Sequence, residues 1–251
     1  MSSTTKYIDV FRRYETKYLL SERQFEEFMR ATEGRFVPDK YGKSTISNIY
    51  FDTPDYRLIR MSLEKPVYKE KLRLRSYKTP LPEDTVFIEL KKKYKGIVYK
   101  RRIDVTLADA EAYLYEGKPL PVSTQISREI DYVMNFYPDI GPACALFYDR
   151  EAFFGIEDPN LRVTFDNNIM FRWNNLHLSQ GPGGEHIIKP QQRIMELKTS
   201  NSIPLWLSHI LDELKIYPTS FSKYGYAYQL SEMRHLNIPK KEILERKVIS
   251  A

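Results

Sequence analysis

One cysteine, Cys144, stands in 251 residues, so an internal disulfide framework and a cysteine-based zinc site are both excluded. No uncharged apolar run reaches the ~18 to 20 residues that a membrane-spanning helix needs. Membrane contact would therefore be peripheral or made through a membrane-protein partner. The opening MSSTTKYIDVFRRYETK has no apolar core of the kind a signal peptide carries, and a reducing, cytoplasmic location is expected. Internal repeats and Pro/Ser linkers are also lacking, which predicts a single domain over residues 1–251. Glycine clusters only in Gly181-Pro182-Gly183-Gly184, within residues 174–192. That stretch has no Gly-Lys-Ser/Thr and no strand-before, helix-after context, so a plain mobile hairpin connection is expected and a phosphate cradle is not.

What is present is apolar and aromatic surface in quantity: 42% hydrophobic residues, with 19 Tyr and 13 Phe, beside 29% charged residues. Such a chain buries a core and favours strands. The formal charge of +6 calls for an anionic partner, without choosing among nucleic acid, an acidic membrane surface and a phosphate compound.

Eight segments read as strands: residues 12–20, 45–52, 67–77, 85–94, 97–105, 143–154, 161–171 and 193–199. Helices are predicted after Ser21, whose Gln24 has capping-box spacing, and after Ser123, ahead of Ile126, Ile130, Val133 and Met134. Two more are read at Leu205 to Leu214 and Tyr224 to Leu236. The expected fold is α+β, a closed eight-stranded antiparallel β-barrel with helices packed around it.

The parity of charge within the strands carries the functional signal. In Lys71-Leu-Arg-Leu-Arg75 three cations share one face and two leucines the other, because side chains alternate across a strand. Arg13, Glu15 and Lys17 repeat the pattern, as do Glu89, Lys91 and Lys93, and Glu196 with Lys198. A single strand of this kind is ordinarily a sheet with its charged face in water. Four of them, beside helices whose apolar faces need a sheet to cover, point to a barrel with its charges turned inward. Such a lumen repels itself unless an anion fills it, and a chain of phosphates is a suitable counter-charge for Arg forks and Lys point charges. Interleaved glutamates suit a divalent metal, which one or two carboxylates hold together with substrate phosphates.

The ordered set Arg13-Tyr-Glu-Thr-Lys17, Asn48-Ile-Tyr-Phe-Asp52, Lys71-Leu-Arg-Leu-Arg75, Phe87-Ile-Glu-Leu-Lys91, Val98-Tyr-Lys-Arg-Arg102, Tyr148-Asp-Arg150, Leu161-Arg-Val-Thr-Phe-Asp166, Met195-Glu-Leu-Lys198 and Phe221-Ser-Lys-Tyr224 resembles the VTC-type polyphosphate polymerase domain. That family lies within the triphosphate tunnel metalloenzyme superfamily, which also contains the CYTH proteins. The resemblance implies a triphosphate tunnel in which ATP donates its terminal phosphoryl group to a growing polyphosphate chain, helped by Mn²⁺ or Mg²⁺. It implies that Lys17, Arg73, Arg75, Lys91, Lys100, Arg150, Arg162, Lys198 and Lys223 line the tunnel and grip phosphates. Glu196 would be the main metal ligand, with Glu15 and Glu89 as further candidates.

The CYTH pattern Glu-x-Glu-x-Lys carries Arg13 in place of its first Glu here, which favours the polymerase branch over the hydrolytic one. A triphosphatase on the same fold is the alternative enzyme, and a polyphosphate-binding sensor the non-catalytic one. Single-strand nucleic-acid binding is disfavoured, because the cations alternate with Leu and Ile rather than with exposed aromatics. Arg101 has the opposite parity to Lys100 and Arg102 and reads as a solvated charge. Asp166 and Glu89 read as ion-pair partners at least as readily as metal ligands. His177, His186, His209 and His235 lack metal-ligand spacing, and Cys144 reads as a small buried residue.

Overall fold

The computed structural model describes residues 14–95, 97–200 and 202–235. Period-two alternation becomes strands throughout: β1 (Tyr14–Ser21), β2 (Phe36–Asp52), β3 (Tyr68–Ser76), β4 (Thr85–Tyr94), β5 (Ile97–Thr106), β6 (Gly141–Gly155) and β7 (Arg162–Arg172). After these come the two-residue β8 (Glu185–His186), then β9 (Gln192–Thr199) and the two-residue β10 (Pro218–Thr219). All eight expected strands are found; the expectations at Arg12 and Arg13 lie outside the described residues.

The helices are α1 (Glu22–Ala31), α2 (Arg57–Leu63), α3 (Leu107–Glu116), α4 (Gln125–Phe136), α5 (Leu205–Glu213) and α6 (Lys223–His235). The Ser21 capping box forms as expected: Ser21 Oγ accepts from the Gln24 amide at 3.2 Å, and Gln24 Oε1 accepts from the Ser21 amide at 3.1 Å. For α4 the expected cap shifts by one residue, from Ser123 to Thr124. Ser127 decides this, since it stands three residues after Thr124 and its hydroxyl accepts from the Thr124 amide at 2.8 Å. Two helices were not expected. Asp52 organises α2 by accepting from the amides of Leu58 and Ile59 at 2.8 and 3.0 Å, too far along the chain for a local capping signal. Thr106 caps α3, which stops at Gly117 in the left-handed region, φ 71°. Among the described residues no helix is long and apolar enough to cross a membrane.

The strands form one antiparallel sheet in the order β10-β1-β9-β7-β6-β2-β3-β4-β5, with β8 paired to β7. The expected closed barrel is corrected here: the sheet does not close. Two-residue β10 takes the outer edge of β1, setting Lys17 opposite Thr219, and among the described residues β5 has no strand on its outer edge. Parity tells which face a side chain takes, but not whether two edge strands meet. The sheet is nevertheless strongly rolled. Six strand spacings separate β1 from β4 and β9 from β5, roughly 29 Å in a flat sheet at about 4.8 Å each. Yet Glu15 on β1 interacts electrostatically with Lys91 on β4, and Lys198 on β9 with Lys100 on β5.

The convex face is the apolar one. Leu72, Leu74, Ile88 and Leu90 are fully buried under Leu107, Ala110 and Leu114 of α3 and Ile130 and Val133 of α4. Tyr18, Met195 and Leu197 are covered by Phe28 of α1 and Leu207 and Leu211 of α5. Burying each large aliphatic contributes roughly 1.5 to 3 kcal/mol, which fixes the sheet's orientation and so turns the opposite parity inward. One part of the concave face is filled as well: Tyr50, Cys144, Leu146 and Tyr148 pack with Phe221, Tyr224 and Ala227, and Tyr50 stacks on Tyr224 at 4.7 Å.

Residues 174–192 are not a plain mobile connection. They hold a 3-10 turn, Leu178–Gln180, and the strand β8, and bury Leu178, Ile187 and Ile188. Arg172 Nη1 donates to the Gly181 carbonyl at 2.8 Å. The short-range glycine signal marked the turn but not these buried anchors.

Candidate functional site

With the leucines of β3 held under helices, the alternation forces Arg73 and Arg75 onto the concave face. Glu89, their cross-strand neighbour on β4, holds both: Arg73 Nε donates to Glu89 Oε2 at 2.7 Å, and Arg75 Nε lies 3.7 Å from the same oxygen. Arg102 approaches the other oxygen at 3.9 Å. Burial raises the Glu89 pKa, but Arg73 and Arg75 outweigh it and hold the group below its ordinary value. Glu89 therefore acts as the counter-ion of three guanidiniums. Arg75 is further fixed by Asn48 Oδ1 at 3.0 Å and the Tyr148 hydroxyl at 3.3 Å, and Arg73 by the Tyr50 hydroxyl at 3.2 Å.

A second network spans β1, β6, β7, β9 and α6. Arg150 grips Asp166 through both carboxylate oxygens, at 2.6 and 2.7 Å, and Lys223 Nζ reaches the same carboxylate at 2.5 Å. Asp166 is fully buried. It is the ion-pair partner of two cations, which is the reading that the sequence left open. Glu196 lies 3.3 Å from Lys17, 3.2 Å from Lys198 and 3.8 Å from Arg150. Desolvation pushes its pKa up, yet Lys17, Lys223, Lys198 and Arg150 together hold it well below the ordinary carboxylate value. Lys17 also approaches Glu15 at 3.7 Å, so one ammonium links the two carboxylates.

Lys91 and Lys100 join the same face from β4 and β5. Burial lowers the Lys91 pKa to about 8 despite the opposing pull of Glu15, and burial followed by Lys198 lowers that of Lys100. Arg162 lies opposite Lys198 in the β7–β9 register, but its guanidinium is held at 3.0 Å by Asp39 of β2 and is 40% exposed, at the margin of the cluster. The structure thus brings Lys17, Arg73, Arg75, Lys91, Lys100, Arg150, Lys198, Lys223, Glu15, Glu89 and Glu196 onto one face. On the other side Arg101 is not simply solvated: it pairs with Glu129 of α4 at 3.2 Å.

A model of the VTC domain matches residues 12–231. The chain belongs to the VTC domain family. No curated protein matches it significantly. Among solved structures it is similar to a Bacillus halodurans protein provisionally assigned as an adenylate cyclase, at 15% identity and a TM-score of 0.53, over 83% of this chain and 92% of that one. A Vibrio parahaemolyticus protein with the same provisional assignment gives 11% identity and 0.45, over 86% and 97% of the two chains. A Pyrococcus horikoshii protein gives 14% and 0.41, over 88% and 99%. At these identities the first likeness is one of fold.

Several residues of this VTC domain's cation face were missed. Tyr148 is two residues before Arg150, so parity alone could have found it. Its buried phenol is pushed up by desolvation but brought below its ordinary value by Arg75, Arg150 and Lys223. Thr164 lies opposite Glu196 across the β7–β9 pair, is 1% exposed and leaves its hydroxyl without a hydrogen-bond partner among the described residues. Alternation places it between Arg162 and Asp166. Ser222 and Asn48 stand within the resemblance motifs, but without a charge they gave no parity signal. Cys144 is fully buried, and burial drives its thiol pKa far up, so it is inert as a nucleophile. His177 is engaged by Glu111 of α3 at 3.0 Å, away from the cluster.

Among the described residues no three His, Cys, Asp or Glu side chains form a ready metal cage. The Glu15 and Glu196 pair fits the other mode of binding, in which Mg²⁺ or Mn²⁺ takes one or two carboxylates and completes its shell with substrate phosphates and water.

Proposed function

We propose that this single VTC domain is a metal-dependent polyphosphate polymerase that transfers the terminal phosphoryl group of ATP to a growing polyphosphate chain on its concave cation face. One observation carries the reading: eight cations from six strands and α6, namely Lys17, Arg73, Arg75, Lys91, Lys100, Arg150, Lys198 and Lys223, meet around the carboxylates of Glu15, Glu89, Asp166 and Glu196. Phosphoryl transfer asks mainly for positioning and charge stabilisation, and such a face supplies both. Arg73, Arg75, Lys198 and Lys223 are held by hydrogen bonds or ion pairs in fixed orientations, so they need little reorganisation to grip phosphate oxygens. Glu196, with Glu15, would hold the Mn²⁺ or Mg²⁺, which when bound would neutralise charge on the transferred group. Glu89, already shared by three guanidiniums, serves to orient Arg73 and Arg75. Arg162, at the margin, would meet a longer chain. The family membership and Arg13 in place of a Glu favour the polymerase over a hydrolase.

Incubation of the pure protein with ATP and Mn²⁺, with gel analysis of the products and a free-phosphate assay, tests the reading. Long polyphosphate with little free phosphate is the expected outcome. Free phosphate without polymer would replace the reading with a triphosphatase, and neither product would leave a binder.

A further inference from the structure

Most cations of the concave face have a carboxylate: Lys17, Lys198 and Arg150 have Glu196, Lys223 has Asp166, and Arg73 and Arg75 have Glu89. Lys71 does not. It lies on β3 two residues before Arg73, half-buried on the same face. The charged groups that act on it most strongly are cations: Lys69 and Arg73 of its own strand, Lys91 of β4 and Lys17 of β1. Among the described residues it has no ion-pair partner, and its Nζ meets a single hydroxyl, Ser222 Oγ, at 3.1 Å. That hydroxyl also accepts from the Gly225 amide at 3.2 Å, so its own proton is free to turn toward or away from the amine. Ser222 can therefore satisfy Lys71 in either protonation state.

We propose that Lys71 is an additional phosphate ligand of this face and that it takes its anion together with a proton from solvent. The inference rests on the reading of the face as a phosphate site. In the empty protein, desolvation first and then Lys69, Lys91, Lys17 and Arg73 lower the Lys71 pKa to about 7. A phosphate chain laid across those cations reverses the sign of the local potential and removes the reason for deprotonation. A proton then passes from buffer to the Nζ lone pair, and the resulting ammonium donates to phosphate oxygen. No bond to phosphorus is made or broken.

Linkage makes this measurable. Tripolyphosphate is titrated calorimetrically into metal-free protein at pH 8, in two buffers of unlike ionisation enthalpy, with the parent, Lys71→Met and Lys71→Arg. The parent should take up more protons than Lys71→Met, by a difference approaching one per site. Lys71→Arg, charged at every pH, should bind without that increment. Between pH 8 and pH 6 the affinity ratio of parent to Lys71→Met should widen about tenfold, as Lys71 becomes charged before binding. Proton uptake and pH dependence equal in parent and Lys71→Met would overturn the role of Lys71 and leave the phosphate site standing. Absence of any tripolyphosphate binding by the parent would overturn both.

Discussion

Glu196→Gln is expected to abolish metal-supported turnover while leaving a protein that still binds triphosphate. The carboxylate sits between Lys17 and Lys198 at 3.3 and 3.2 Å and is 6% exposed. The amide keeps its shape, loses its charge and with it the affinity for a divalent cation. Charge stabilisation by a metal is worth several kcal/mol in a transition state, so turnover at limiting Mn²⁺ should fall by at least about a hundredfold. Triphosphate binding in the presence of a chelator should instead tighten, because the face gains a net positive charge. The empty protein should melt lower, since Lys17 and Lys198 lose a counter-ion. The four cations around Glu196 keep it ionised well below the ordinary 4.5, so the parent's turnover should not decline through this group until the pH falls well below that value. Parental turnover in Glu196→Gln at limiting Mn²⁺ would remove Glu196 from the metal site.

The second large effect concerns the fold. Asp166 is fully buried and accepts from Arg150 at 2.6 and 2.7 Å and from Lys223 at 2.5 Å. Asp166→Asn leaves two desolvated cations facing a neutral amide. Breaking a buried ion pair from one side costs about 3 to 5 kcal/mol. For a chain of this size that lowers the melting temperature by roughly 6 to 20 °C. Desolvation raises the Asp166 pKa, but Lys223 and Arg150 prevail and hold it below the ordinary 3.8. With the folded pKa depressed, the stabilisation is complete above that value and lost as the pH falls through the folded pKa. Asp166→Asn should therefore flatten the acid limb of the stability curve. Because the variant's unpaired cations suit an anion, tripolyphosphate should restore more of its melting temperature than it adds to the parent's. A melting temperature within 2 °C of the parent, by calorimetry, would show that Asp166 is not the keystone of this network.

Much of this was legible in the sequence because period-two alternation is a direct geometric consequence of a strand. Leu72 and Leu74 against Arg73 and Arg75 sufficed to assign faces, and the helices that cover the leucines confirm the assignment. What alternation does not encode is pairing at the ends of the sheet. Nothing in Pro218-Thr219 announces a strand that occupies the edge of β1, so a closed barrel was expected and a rolled, open sheet was found. Helix α2 was hidden for a related reason, since Asp52 and the amides it binds are six and seven residues apart. At the site, charge found the strong partners and missed the neutral ones. Tyr50, Tyr148 and Asn48 orient two arginines without any charge to signal it, while the charge of Glu89 left ion pairing and metal ligation both open, and its three guanidiniums show the ion pairing. Lys71 stood in plain view among the motif residues. Its lack of a carboxylate became visible only once β1, β4 and the segment before α6 had been brought against it.

Everything proposed for this protein requires that the concave cation face hold a phosphate chain. A crystal structure of the protein with tripolyphosphate and Mn²⁺ tests it most directly. Phosphate density is expected across Arg73, Arg75, Lys91, Lys100, Arg150 and Lys198, with the metal between that chain and Glu196. Density for the phosphates on another surface, with the concave face holding only water at saturating ligand, would contradict it.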